Sequence, residues 1–64
     1  MAHNFKEGQF VEVESIEKQI RFRARVIKVS RSILALQCLE KAEPLFQAGE
    51  NFNTPADQSE FMIT

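Results

Sequence analysis

Segment 19–30 alternates polar and apolar residues with a period of two, and this pattern constrains the fold more than any other stretch. In a β-strand, successive side chains point to opposite faces of the sheet. One face of this strand would carry arginines, and the other would carry apolar side chains. The arginine face holds Arg21, Arg23 and Arg25, and the apolar face holds Ile20, Phe22, Ala24 and Val26. The pattern predicts a long, half-buried strand.

The alternation reverses just after Val26. Ile27 falls on the arginine face and Lys28 falls on the apolar face. A bend or β-bulge corrects such a reversal by inserting one extra residue, and it also increases the local twist. We therefore expect one long strand to serve both halves of a small curled sheet.

Two further segments supply neighbours for this strand. Residues 9–14 alternate with their valines on one face, and a four-residue loop at 15–18 would pair Val13 with Ile20, Glu12 with Arg21 and Phe10 with Arg23. Residues 33–39 form an apolar run broken only by Gln37, which is typical of a central strand buried on both faces. Pairing Val26 with Leu36 and Ala24 with Cys38 completes a three-stranded meander.

The last third of the chain mixes strand and helix signals. Segment 44–48 has proline near its start and a glycine after it, which predicts a short helical turn, and its Leu45 and Phe46 would cover an open end of the barrel. Residues 50–53 favour a fourth strand with Phe52 inward. Segment 54–57 has the composition of a helix start, which favours a docked helix over residues 55–63. A closing strand at 60–64 is the alternative.

With 64 residues, the chain is expected to form a single small β-barrel domain. The predicted class is mainly β, as a small antiparallel curled sheet or partly open barrel. It would have a tail at 1–7 anchored by Phe5, a core at 8–53, and a helix or closing strand at 54–64. A core this small gives a stability of no more than roughly 3–5 kcal/mol unless a partner or a second copy adds to it.

The single cysteine and the hydropathy of the sequence indicate the cellular compartment of the protein. Cys38 is the only cysteine, so an intrachain disulfide is impossible, and its apolar surroundings predict a buried thiol in a reducing compartment. The sequence shows neither a charged-then-apolar leader nor an apolar run of membrane-spanning length. We expect a cytoplasmic protein.

Positive charge is concentrated in one stretch. Window 18–31 holds six of the eight basic residues and no acid, although the net charge is −1. A basic strand on an acidic body is able to attract an anion. The candidate ligand or anion-binding residues are Arg21, Arg23, Arg25, Lys28, Ser30 and Arg31, with Phe10 as a candidate stacking surface. The alternative is a structural ladder in which Glu12 and Glu14 pair with the arginines, and two glutamates would leave Arg25 unpaired.

Residues suited to catalysis are scarce. The single histidine, His3, lies in the tail without Cys, His or carboxylate neighbours at metal-ligand spacing. The chain lacks a glycine-rich phosphate loop, and its carboxylates are scattered over polar faces. We expect a protein that is not an enzyme, with no cofactor and no metal.

The apolar spacing of segment 22–52 resembles the core of PilZ-type barrels. The resemblance rests on segment 24–30, Leu34-Ala35-Leu36, Leu45, Gly49-Glu50 and Phe52. Segment 8–13 ahead of it resembles the opening of the PilZ-like N-terminal domain of bacterial flagellar brake proteins. The similarity covers residues 5–52.

PilZ proteins bind cyclic di-guanylate through an Arg-x-x-x-Arg segment and an Asp/Asn-x-Ser-x-x-Gly motif. Arg21 and Arg25 match the first spacing, but they lie within a strand. In the second motif only Ser30 is retained, because Lys28 replaces the acid and Ile33 replaces the glycine. The resemblance therefore implies the branch without that motif, which serves in protein interaction.

Three functions follow as hypotheses. The first is a PilZ-like adaptor that binds another protein or a second copy of itself, in a motility or cyclic di-guanylate pathway. The second is a nucleic-acid-binding barrel that uses the basic strand 21–31. The third, an enzyme, has no residues to support it.

Overall fold

Five antiparallel strands form one sheet in a computed structural model that describes residues 5–64. The strands are β1 (Phe10–Ser15), β2 (Arg21–Val29), β3 (Ile33–Cys38), β4 (Asn51–Pro55) and β5 (Phe61–Ile63). Their order across the sheet is β4-β3-β2-β1-β5, and the sheet is not closed. This architecture confirms the predicted mainly β class and the β1-β2-β3 meander. His3 lies outside the described residues.

A β-bulge in β2 sits where the sequence pattern reverses. Val26 pairs with Leu36 and Lys28 pairs with Ala35, so Ile27 has no residue opposite it. The extra residue returns Lys28 to the arginine face and turns Val29 toward the core. The predicted bend is confirmed.

The predicted pairing of β1 with β2 is wrong by two residues. Val13 lies opposite Phe22 and Glu12 lies opposite Arg23, while Phe10 lies opposite Arg25. The hairpin closes at Ser15, whose N–H donates to the Ile20 carbonyl at 2.8 Å, so the four-residue loop is 16–19 and not 15–18. Because the shift is two residues, every side chain keeps its predicted face.

The core lies on the concave side of the curled sheet. Its fully buried large side chains include Phe22, Leu34, Leu36 and Val13. Phe52 on β4 and Phe61 on β5 come from opposite edges of the sheet, yet their ring centroids are 5.5 Å apart. Side chains thus bridge the two edges that backbone hydrogen bonds leave open.

Strand β3 is buried on one face only, which corrects the expectation from its apolar run. Leu34 and Leu36 are fully buried, whereas Ile33 is 41% exposed and Gln37 is half-buried. In the described part of the chain no second layer packs on the outward face of the sheet, because all five strands belong to one sheet.

The helix predicted over 55–63 does not form. Thr54 is buried within β4 and Pro55 is the last residue of that strand, so neither begins a helix. Residues 61–63 form the strand β5, as in the alternative, with Ile63 buried and Met62 exposed, but this strand pairs only with β1 and leaves the sheet open. The sheet therefore continues past the predicted core boundary at residue 53. A short helix depends on tertiary packing for stability, and here pairing with β1 provides the alternative.

The helical turn predicted near 44–48 is also wrong. Ala42 and Phe46 form an isolated β-bridge around a hydrogen-bonded turn. Phe46 stacks on Phe52 with ring centroids 4.1 Å apart, and Leu45 packs against the core. These two residues cover one side of the open core, as the sequence indicated.

Candidate functional site

The outward face of the sheet brings together most of the predicted site residues. Alternation along each strand places the arginines of β2, the glutamates of β1, and the amides of β3 and β4 on this face. It carries Phe10, Glu12, Glu14, Arg21, Arg23, Arg25, Lys28, Ile33, Ala35, Gln37, Asn51, Asn53 and Met62.

Two of the three β2 arginines are held by carboxylates. Arg21 lies 3.2 Å from Glu12 and 3.9 Å from Glu14. Arg23 lies 3.6 Å from Glu40, which also accepts the backbone N–H of Arg23 at 2.7 Å. Exposed pairs of this kind contribute about 0–1 kcal/mol each. Arg21 thus fits the structural ladder with Glu12 and Glu14 that the sequence offered as an alternative, whereas Arg23 pairs with Glu40, outside that ladder.

Arg25 has a different environment. Within residues 5–64 no carboxylate lies within 4.0 Å of it, in agreement with the prediction that Arg25 is the arginine left unpaired. Its guanidinium carbon lies 6.0 Å from the centroid of the Phe10 ring, and Phe10 is 71% exposed. This separation is at the outer limit of a cation–π contact. A free guanidinium and an exposed aromatic ring therefore form one surface.

Cross-strand pairing extends this surface over four strands. Arg25 lies opposite Phe10 on β1 and opposite Gln37 on β3, and Gln37 lies opposite Asn51 on β4. The Gln37 amide donates weakly to the Gly49 carbonyl at 3.4 Å. Beside Arg25, an open cleft of about 480 Å³ is lined by Glu7, Gly8, Arg25, Val26, Ile27 and Gln37. Gly8 turns the chain into β1 with φ +87°.

The remaining candidates lie apart from Arg25. Lys28 shares the outward face because of the bulge, and among the described residues it has no carboxylate partner. Ser30 and Arg31 are exposed in the β2–β3 turn. At ~3.3 Å per residue, Ser30 lies roughly 16 Å along the strand from Arg25. Arg21, Ser30 and Arg31 therefore do not line a single site of the size of a small ligand.

Sequence reasoning missed three contributors to this site. Gln37 was noted only as a break in an apolar run, although the predicted pairing of Val26 with Leu36 already implies Arg25 opposite Gln37. Asn51 follows from the next pairing along the sheet. Glu40 carried no sequence signal, because it reaches Arg23 from beyond the end of β3.

Other reactive groups in the described part of the chain are sparse. Cys38 is buried as expected, and burial raises the pKa of its thiol, with the Glu40 and Glu50 charges acting in the same direction. Residues 5–64 contain no cluster of three His, Cys, Asp or Glu able to hold a metal ion. Over the same residues, no helix of membrane-spanning length and apolarity occurs.

Comparison with known proteins gives no match to a family model, to a curated protein or to a solved structure.

Proposed function

We propose that the chain is a non-enzymatic adaptor whose outward sheet face binds a protein partner through Phe10 and Arg25. The observation that carries this proposal is the Arg25 environment, a guanidinium without a carboxylate beside an aromatic ring that is 71% exposed. Arginine and aromatic residues are enriched among the residues that dominate binding energy at protein interfaces. An acidic segment of the partner would supply the carboxylate that Arg25 lacks.

The charge balance of the face favours a protein over a nucleic acid. Arg21 and Arg23 are paired with glutamates, so the basic strand presents less net positive charge than its sequence indicates. Binding to phosphate backbones depends on unneutralised positive charge. Single-stranded nucleic acids also use several stacking aromatics. Here the other five phenylalanines lie in the core or pack against it.

The resemblance to PilZ-type barrels supports a partner in a bacterial motility or cyclic di-guanylate pathway in the cytoplasm. Of the Arg21 and Arg25 pair that matches the family's ligand spacing, Arg21 is occupied by Glu12 and Glu14. A dinucleotide phosphate would have to displace both glutamates. The proposal therefore assigns the face to protein binding and not to the dinucleotide.

A photocrosslinking amino acid at position 10, expressed in the native host, tests the proposed face. We expect a discrete protein adduct at position 10. The matched control is position 62, which is also outward and 49% exposed in the native chain but lies on the far side of β1 from Arg25. In the same background, Arg25→Gln is expected to lower the adduct yield at least tenfold, and Arg21→Gln is expected to leave it nearly unchanged.

Nucleotide titrations distinguish the competing functions. Amide-resolved NMR with cyclic di-guanylate and with a short single-stranded RNA is expected to show no saturable shifts over residues 21–32. Saturable shifts with the dinucleotide would assign a PilZ ligand site. RNA shifts that fade with added salt would assign the basic strand to nucleic acid. Equal adduct yields from positions 10 and 62 would contradict the proposed interface.

A further inference from the structure

The open sheet leaves two edges, formed by β4 and β5. An edge strand presents unpaired backbone N–H and C=O groups and is a template for another strand. Proteins protect such edges with charges, prolines, short strands or capping side chains. The two edges of this sheet differ in that protection.

Hydrogen bonds at both ends of β4 show which of its residues face outward along the edge. The Cys38 N–H donates to the Glu50 carbonyl at 2.8 Å, and the Ala56 N–H donates to the Ser32 carbonyl at 2.8 Å. Antiparallel strands alternate between bonded and non-bonded positions. Phe52 is therefore bonded to β3, and the backbone groups of Asn51 and Asn53 point away from the sheet.

The β5 edge is short and capped. It has three residues, and the Gln58 side chain accepts the N–H of Ile63 at 2.9 Å. Strand β4 has five residues, Asn-Phe-Asn-Thr-Pro, and none of them is charged. Its only edge protection is Pro55, at its end. The β4 edge is thus the unprotected one.

We propose that β4 pairs antiparallel with β4 of a second copy of this chain, around a twofold axis at Phe52. Asn51 of each copy then lies opposite Asn53 of the other, and these two bonded pairs supply four backbone hydrogen bonds. The ladder ends at Pro55, which would lie opposite Gly49 and has no N–H to donate. This register uses every outward-facing backbone group of Asn51 and Asn53.

The strand sequence favours a second copy as the occupant. Self-pairing places Phe52 beside Phe52 on the inward side, and asparagines beside asparagines on the outward side. No like charges meet, because β4 has none. A chain of 64 residues also gains stability from burying an edge against its own copy. The inference uses the β4 edge and is independent of the Phe10 and Arg25 face.

Sedimentation equilibrium of the purified chain over a concentration series tests the pairing. We expect a monomer–dimer equilibrium that Asn53→Pro abolishes, because proline removes an edge donor without touching the bonds to β3. The control Asn53→Thr keeps the backbone donor and is expected to dimerise like the wild type. Thermal unfolding followed by circular dichroism establishes that both variants are folded.

Hydrogen exchange of the wild type tests the same β4 pairing without a substitution, in case Asn53→Pro fails to fold. The amides of Asn51 and Asn53 are expected to exchange at least fivefold more slowly at high than at low protein concentration, while the Phe61 amide is unchanged. A monomer at every concentration would overturn the proposal. So would a closed assembly of more than two chains with Phe61 protected, which would indicate pairing of β4 with β5.

Discussion

The Cys38 thiol illustrates how burial controls the chemistry of a single residue. Its side chain is fully buried, and its sulfur donates to the Glu40 carbonyl at 2.8 Å. Burial disfavours the thiolate and raises the pKa of Cys38; hydrogen bonding with the Glu40 backbone opposes this rise, and the negative charges of Glu40 and Glu50 add to it. The folded chain therefore holds the thiol proton more tightly than the unfolded chain does.

This raised pKa predicts a loss of stability at alkaline pH. Below the unfolded thiol pKa of about 8.5, Cys38 is protonated in both states and its contribution does not depend on pH. As pH rises from there toward the folded-state pKa, the unfolded chain loses the proton first, and the free energy of unfolding falls by up to about 1.4 kcal/mol per pH unit. Urea denaturation of the wild type and Cys38→Ala from pH 7 to 10 measures this slope. Parallel slopes for the two proteins would contradict it.

The arginines show what the sequence reveals about single side chains. Counting two glutamates against three arginines on adjoining strands predicted that Arg25 is unpaired, but the count did not predict that both glutamates lie against Arg21 and that Glu40 takes Arg23. The pairing of Arg25 with Phe10 was not predicted, because the β1–β2 loop has the predicted length but begins one residue later than predicted. Local pattern identifies the face of a residue, whereas its neighbours depend on the geometry of the turn.

Among the elements, β2 shows the clearest agreement between sequence and structure. When the polar–apolar alternation reverses within a strand, a β-bulge is one of the few structures that keep apolar side chains on the core face in both halves. The bulge at Ile27 does this in β2. The end of the chain shows the opposite case. Segment 54–57 has a local helix-start composition, but pairing with β3 keeps Thr54 and Pro55 in β4. Such tertiary pairing has no signature within the segment itself.

The bulge predicts that Ile27 tolerates substitution by lysine and that Val29 does not. In a regular strand, both side chains would lie on the same face and respond alike. Ile27→Lys is expected to change the free energy of unfolding by under about 0.5 kcal/mol, because Ile27 is exposed at the bulge. Val29→Lys is expected to cost at least about 1 kcal/mol, because Val29 is partly buried against the core and the substitution removes this packing and partly desolvates an ammonium. Urea denaturation compares the two. Similar losses would contradict the bulged register.

For the molecule as a whole, packing between aromatic rings stabilises the curvature of the sheet. Phe22 lies near the start of β2, the central strand of the sheet, and contacts Phe46, Phe52 and Phe61 with centroid separations of 5.7, 5.9 and 6.3 Å. These rings come from β4, from β5 and from the turn at 42–46. Because the edge strands share no backbone ladder, the packing around Phe22 joins the two edges to the centre of the sheet.

Truncation of Phe22 and of Phe10, which lie on opposite faces of the sheet, is therefore expected to change the free energy of unfolding by very different amounts. Phe22→Ala should cost about 3–5 kcal/mol, which is comparable to the whole stability of a domain this small and should leave it largely unfolded. Phe22→Leu retains part of the packing and provides a folded variant in which the loss is measurable. Phe10→Ala should change the unfolding free energy by under about 0.5 kcal/mol, because its ring is 71% exposed.

Circular dichroism under urea denaturation measures all three variants. A loss at Phe10→Ala as large as that at Phe22→Leu would show that the outward ring stabilises the fold. A Phe10→Ala chain that stays folded but no longer binds its partner has lost an interface contact and not its structure. This result would distinguish a role in binding from a role in folding. The concave rings would then be required for folding, and the outward ring would be available for binding.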